Sequence, residues 1–194
     1  MKNILNIICL IIAVSLMGQQ LPLPNTTVSL ETMAQCDLSS GNCPNAAYVK
    51  DINNSLNKYI GTWKGTLNGK SYEFNFVKKE KVGETRKWDR LIGRLKITNS
   101  NGIIEFNNFN KTDIELEKEF GGFNFQKDLK AYMINFFGGK LGCIDYGYAY
   151  LRIKPETPNQ MGINFHPDYD IVTQDCSGFL TTLPTNQIIH LTRQ

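Results

Sequence analysis

From Ile60 onward the apolar residues recur at a spacing close to two, the period of a strand with one buried face, rather than the 3.6 of a helix. Gly61, Trp63, Gly65 and Leu67 fall on one face. Asn68-Gly69 follows, the pair that most readily takes the positive φ angles of a two-residue hairpin turn, and Tyr72, Phe74 and Phe76 share a face on the return strand. Leu91, Gly93, Leu95 and Ile97 then alternate with Ile92, Arg94, Lys96 and Thr98, and a second such pair, Asn101-Gly102, leads into Ile103 to Phe106. Further strands are expected at Ile114 to Phe120, Ala131 to Phe137, Tyr146 to Ile153, Met161 to Phe165 and Ile188 to Arg193, with glycine pairs and prolines between them. Short strands separated by turn signals predict an all-β fold. A closed meander removes the exposed edges of an open sheet, so an antiparallel up-and-down β-barrel of about eight strands is expected in preference to a sandwich. In Tyr146 to Ile153 the pattern leaves a choice open. Either Tyr146, Tyr148, Tyr150 and Arg152 or Gly147, Ala149, Leu151 and Ile153 could face inward.

Upstream of Ile60 the alternation stops. Asp51 to Asn57 is polar and helix-compatible, which predicts a short helical turn ahead of the first strand and a folded domain over 48–194. Residues 19–47 hold Pro22, Pro24 and Pro44 among many Ser, Thr and Asn residues, without periodicity, and read as an irregular N-terminal tail. Residues 1–18 carry Lys2, an apolar run from Ile4 to Val14 broken at Asn6, and Gly18 before Gln19. That is the pattern of a signal peptide cleaved after Gly18. The run is shorter than the roughly 20 apolar residues of a membrane-spanning helix, so no membrane span is expected in the mature chain. With 194 residues in all, one domain is expected.

Loss of the signal removes Lys2, taking the formal charge from +3 to +2. Basic and acidic residues are interspersed, with no basic stripe, which argues against nucleic acid as a partner. The signal also carries Cys9 away, leaving Cys36, Cys43, Cys143 and Cys176. An even cysteine count in an oxidising compartment argues for disulfides. Proximity in the chain favours Cys36 with Cys43 and Cys143 with Cys176, among three formal pairings. No C-x-x-C or paired-histidine spacing points to a metal.

No nucleophile elbow, zinc-protease, phosphate-loop or dinucleotide motif occurs, so neither catalysis nor a cofactor is expected. His166, Asp168 and Asp170 lie within five residues, but polar turn formers in a loop account for them equally well. The aromatic residues are the remaining candidates. Tyr72, Phe74 and Phe76, with Trp63 below and Tyr148 or Tyr150 opposite, would line an apolar pocket for a small hydrophobic ligand. Alternatively the rings simply fill a small barrel, and the chain serves as a protein-interaction or inhibitor module whose partner the sequence does not name.

A short helical turn before Gly61-x-Trp63, and a meander ending in Ile189-His190-Leu191-Thr192-Arg193, resembles the lipocalin and wider calycin group. The resemblance implies that Trp63, beside Gly61, plugs the closed end of a barrel and that Arg193 covers it. Such stacking is worth on the order of 0.5–2 kcal/mol. The lipocalins' second, T-D-Y-like loop motif is absent. The stretch from Tyr48 to Gly65, the ending from Leu183 to Gln194, and Cys143 and Cys176 between them resemble a family of small exported proteins of unknown function from Bacteroidetes-type bacteria. That likeness implies a calycin-like barrel, a late disulfide and a periplasmic or extracellular location, and no activity.

Overall fold

Alternation of apolar and polar side chains becomes one mixed sheet of eleven strands in a computed structural model that describes residues 26–36, 41, 43–140, 142–172 and 174–194. The expected signal peptide and its cleavage point lie outside the described residues. In chain order the elements are β1 (Thr27–Ser29), α1 (Leu30–Gln35), β2 (Tyr48–Lys50), a single 3-10 turn (Asn57–Tyr59), β3 (Gly61–Leu67), β4 (Lys70–Val82), β5 (Lys87–Thr98), β6 (Ile104–Asn107), α2 (Asp113–Glu119), β7 (Gly122–Phe125), β8 (Tyr132–Phe137), β9 (Tyr146–Arg152), β10 (Gln160–Pro167) and β11 (Ile188–Arg193). The spatial order is β1-β2-β5-β4-β3-β11-β10-β9-β8-β7, with β6 on β5.

The fold is mostly β, as the alternation predicts, but the ladder does not close into a barrel. The reason lies in β5. One edge of β5 is paired with β4, and the other is divided: β2 takes Lys87 and Trp88, an isolated bridge joins Ile92 to Gly121, and β6 takes Lys96 to Thr98. No continuous stretch is left for β7. The two ends of the curved sheet therefore meet only at that bridge and at the Gly93 N–H, which donates to the Phe120 carbonyl at 2.9 Å.

Three local expectations are corrected. Residues 27–35 of the expected irregular tail form β1 and α1. Ser29 caps α1 by accepting from the Thr32 N–H at 3.0 Å, and Leu30, Met33 and Ala34 at helical spacing are buried against the sheet. Cys36 and Cys43 lie at disulfide distance just beyond the helix. The polar lead-in Asp51 to Asn57 is mostly turns, its helical part limited to the single turn Asn57–Tyr59, and it follows a short strand, Tyr48–Lys50, parallel to β5. Finally, Ile114 to Phe120 is helical. Thr112 accepts from the Glu115 N–H while the Glu115 carboxylate accepts from the Thr112 N–H, a capping box that starts α2. The buried pair is Leu116 and Phe120, four apart, whereas Ile114 is exposed.

The Asn68-Gly69 turn has φ of 52° and 73°, the paired positive values of a tight hairpin. The core fills the concave side of the sheet with rings. Phe74, Phe76, Phe120, Phe136 and Phe165 form a chain of contacts with centroids 5.1–6.2 Å apart. Phe120 occupies the space where Gly93 has no side chain; a Cβ there would come within 2.6 Å of the ring. At the opposite rim the buried Asp145 carboxylate holds the loop after β10 to the β8–β9 connection by accepting from the Thr182 N–H (2.6 Å), the Thr182 hydroxyl (2.8 Å) and the Lys140 N–H (3.1 Å). Cys143 and Cys176 lie at disulfide distance in the same region.

Candidate functional site

The expected inner constellation divides. Trp63, Tyr72, Phe74 and Phe76 face inward and are at most 3% exposed. Phe74 lies opposite Trp63 in the β3–β4 register and stacks on Tyr72 and Phe76 at 6.5 and 6.0 Å. Tyr148 and Tyr150 do not join them. On β9 the buried residues are Gly147, Ala149 and Leu151, so both tyrosines point to the convex, outer side. A Cβ at Gly147 would come within 2.1 Å of the His166 carbonyl, so no side chain fits there, and Ala149 lies buried between Ile134 and Phe165 of the neighbouring strands.

At one end of the concave side, the Trp63 indole N–H donates to the Tyr59 carbonyl at 2.8 Å, and the Arg193 guanidinium lies 4.3 Å from the indole centroid. Arg193 also donates to the carbonyls of Ile60 and Lys58, both at 2.5 Å. Gly61 passes beneath the guanidinium at φ 116°, a backbone conformation that residues with a side chain rarely adopt. Tyr59, Phe125 and Tyr132 form a second ring cluster nearby. The Tyr59 and Tyr132 hydroxyls have no hydrogen-bond partner among the described residues, and burial pushes both phenols well above the usual tyrosine range.

A polar cluster that sequence reasoning missed ties the N-terminal strand to this end. The buried Asp89 carboxylate accepts from the Tyr48 hydroxyl at 2.5 Å and from the Asp51 N–H at 3.0 Å. Asp51, also buried, pairs with Lys78 at 3.0 Å and accepts from the Ser55 N–H at 2.7 Å. Burial, reinforced by Asp89, raises the Tyr48 phenol. Every acceptor here is engaged within the chain, which gives the cluster a structural role.

On the outer face of β8–β11, side chains able to bind a ligand stand partly exposed together. Tyr146, Tyr148, Tyr150 and Arg152 form one row along β9. Tyr148 is beside Phe123 at 5.7 Å, Tyr146 beside Phe137 at 6.3 Å, and Tyr150 meets the His166 ring edge at 5.2 Å. His166 is also 2.7 Å from the Asn164 amide nitrogen, while Asp170 accepts from the Tyr146 hydroxyl, which pushes that phenol upward. His166, Asp168 and Asp170 thus make ordinary loop and sheet contacts, and no cluster of three or more metal-binding side chains occurs among the described residues.

Beyond Tyr150 the row opens into a groove of about 640 Å³. Gly162 on β10 stands between Arg152 on β9 and His190 on β11 in the strand register, and its missing side chain leaves a shallow notch partly filled by Ile188, whose Cγ2 would lie 3.2 Å from a Cβ there. Arg152 donates to the Asn164 side-chain oxygen at 3.1 Å and to the Gln126 side-chain oxygen at 3.2 Å. Lys154 and Glu156 from the following turn, and Gln160 at the start of β10, line the rim. A second cleft, of about 500 Å³, lies at the other end of the row beside Phe137, Tyr146 and Tyr148. The alternation of β9 already placed Arg152 with the tyrosines, but the notch could not be foreseen, because it depends on the β9–β10–β11 register.

No described helix is long and apolar enough to cross a membrane. A family model described as a family of unknown function, DUF6705, matches residues 1–143 and so ends before β9. No curated protein and no solved structure matches the chain.

Proposed function

Because the chain belongs to DUF6705, a family of unknown function, we propose on physical grounds that it is an exported, non-catalytic binding module with a filled interior that meets its ligand on the outer face of β8–β11. The observation that carries this reading is the unbroken chain of ring contacts from Phe74 to Phe165, which occupies the concave side where a small hydrophobic ligand would otherwise sit. The two cysteine pairs support an oxidising compartment, hence periplasm or exterior. The run of eight strands from β5 round to β7, nearly rejoined by the Ile92–Gly121 bridge, and the Arg193–Trp63 stack support a lipocalin- or calycin-like ancestry.

A second reading, an internal small-molecule site, is favoured by the unpartnered Tyr59 and Tyr132 hydroxyls, since a buried phenol normally finds a partner. Native mass spectrometry of protein purified gently from its host separates the two. The filled-interior reading expects the bare polypeptide, lighter by four hydrogens. A non-covalent mass that disappears on denaturation overturns it in favour of an internal ligand.

A further inference from the structure

We propose that the outer face of β9–β11 binds an extended acidic polysaccharide, with a sugar carboxylate seated at Arg152 and neighbouring sugar rings lying along the β9 tyrosines. The proposal rests on the binding-module reading and names the ligand class for the same face.

The charge at Arg152 is the first argument. Its guanidinium is held by two neutral amide oxygens, those of Asn164 and Gln126, so its orientation is fixed while its charge is left uncompensated. No ion pair among the described residues involves Arg152 or Lys154, and Glu156 is the one carboxylate lining the groove. Two cations against one anion favour an anionic ligand, and a planar, pre-oriented guanidinium suits a carboxylate in the bidentate mode.

The shape of the face is the second argument. Tyr146, Tyr148, Tyr150 and Arg152 project from one strand at alternate positions, so the row extends for about 20 Å at roughly 3.3 Å per residue. Clefts at both ends of that row describe a track for an extended molecule. Tyrosine rings offer flat apolar surface with a polar tip. The C–H faces of pyranose rings match that surface, and their hydroxyls match the side-chain amides of Asn164 and Gln160. Asp168 and Asp170 stand near the Tyr146 end, so the ligand's carboxylate belongs at Arg152 and its uncharged ring faces at the tyrosines.

An extended peptide is the natural competitor. Peptides commonly add to a sheet through a free strand edge, but both edges of β9 and of β10 are already paired, and only side chains are presented here.

Electrophoresis of the purified mature protein through native gels containing a polyuronate, dextran or no polymer tests the proposal, with soluble polyglutamate as competitor. The polyuronate should retard the protein and dextran should not, and polyglutamate at equal charge should compete poorly. Arg152→Gln and Tyr150→Ala should each weaken retardation about tenfold, the scale of one lost charge-assisted contact, with an unchanged thermal midpoint. Should Arg152→Gln not fold, Lys154→Gln, whose side chain is exposed, should still weaken retardation about threefold. Absence of retardation, retardation by dextran, full competition by polyglutamate, or unaltered retardation in the variants overturns the assignment. None of these outcomes depends on the native mass, so an internal ligand breaks the underlying reading separately.

Discussion

The two faces of β9 use the same strand geometry for opposite ends. Inward, Gly147, Ala149 and Leu151 are small or aliphatic and fully buried; outward, three tyrosines and an arginine remain partly or fully exposed. The alternation alone left either set free to face inward. The interior was already occupied by Phe136 and Phe165, and the backbone of β10 approaches Gly147 too closely for any side chain. Space and polarity therefore agree on which set is buried, and the outer rings are left partly exposed, in contact with Phe123, Phe137, Arg152 and His166.

The sharpest way to break this comparison is Trp63→Ala on the concave side. The indole is wholly buried, hydrogen-bonded to Tyr59 and covered by Arg193, so its loss should cost roughly 3–5 kcal/mol in urea denaturation. Next comes Gly93→Ala. The new methyl group would overlap the Phe120 ring, and overpacking of this kind should cost about 1–3 kcal/mol, visible as a lower thermal midpoint. Thr112→Ala removes both hydroxyl contacts of the α2 capping box and should cost about 1 kcal/mol, with faster amide exchange confined to Asp113–Glu119.

On the outer face, Tyr150→Ala should change stability by no more than about 0.5 kcal/mol while abolishing most of the binding; a loss comparable to that of Trp63→Ala would make the outer rings structural. The smallest effect expected is electrostatic. Hydrogen bonds from Lys79 and then Arg94 hold the Asp113 carboxyl below its usual range. Its stabilising contribution is therefore present above the unfolded pKa of about 3.9 and lost as pH falls through the lower folded value. Asp113→Asn should flatten the acid limb of the stability profile slightly, since the group is a third exposed and well screened.

The strands and hairpins were legible because they rest on short-range rules: alternation through Gly61 to Phe76, and Asn68-Gly69 where both residues need positive φ. α2 was also legible in principle. Thr112 and Glu115 spell a capping box, but Ile114 and Leu116 imitate a strand, and only the burial of Leu116 with Phe120 settles the period. The partners of β1 and β2 were not legible, since three-residue strands carry no register information and their parallel pairing joins distant segments. Barrel closure failed as an expectation for the same reason: competition for the edge of β5 is a long-range property. Of the candidate site, the tyrosine row was visible and its direction was not. The Arg152–Gly162–His190 notch exists only once three strands are in register.

One feature of the topology bears on how the molecule comes into being. β11 is the last strand in chain order, yet it lies between β3 and β10, and Gln194 still donates its N–H to the Thr62 carbonyl at 3.0 Å. Without Ile188–Arg193, the early hairpins and the β7–β10 meander are linked through the backbone only at the Ile92–Gly121 and Gly93–Phe120 contacts among the described residues, and β3 and β10 each keep a bare edge waiting for the same strand. Completion of the sheet thus waits for Ile188–Arg193, and such non-local closure is intrinsically slow. β11 is therefore the latch that joins the two halves of the sheet, pairing with β10 along Ile188–Thr192 and with β3 at Thr192 and Arg193.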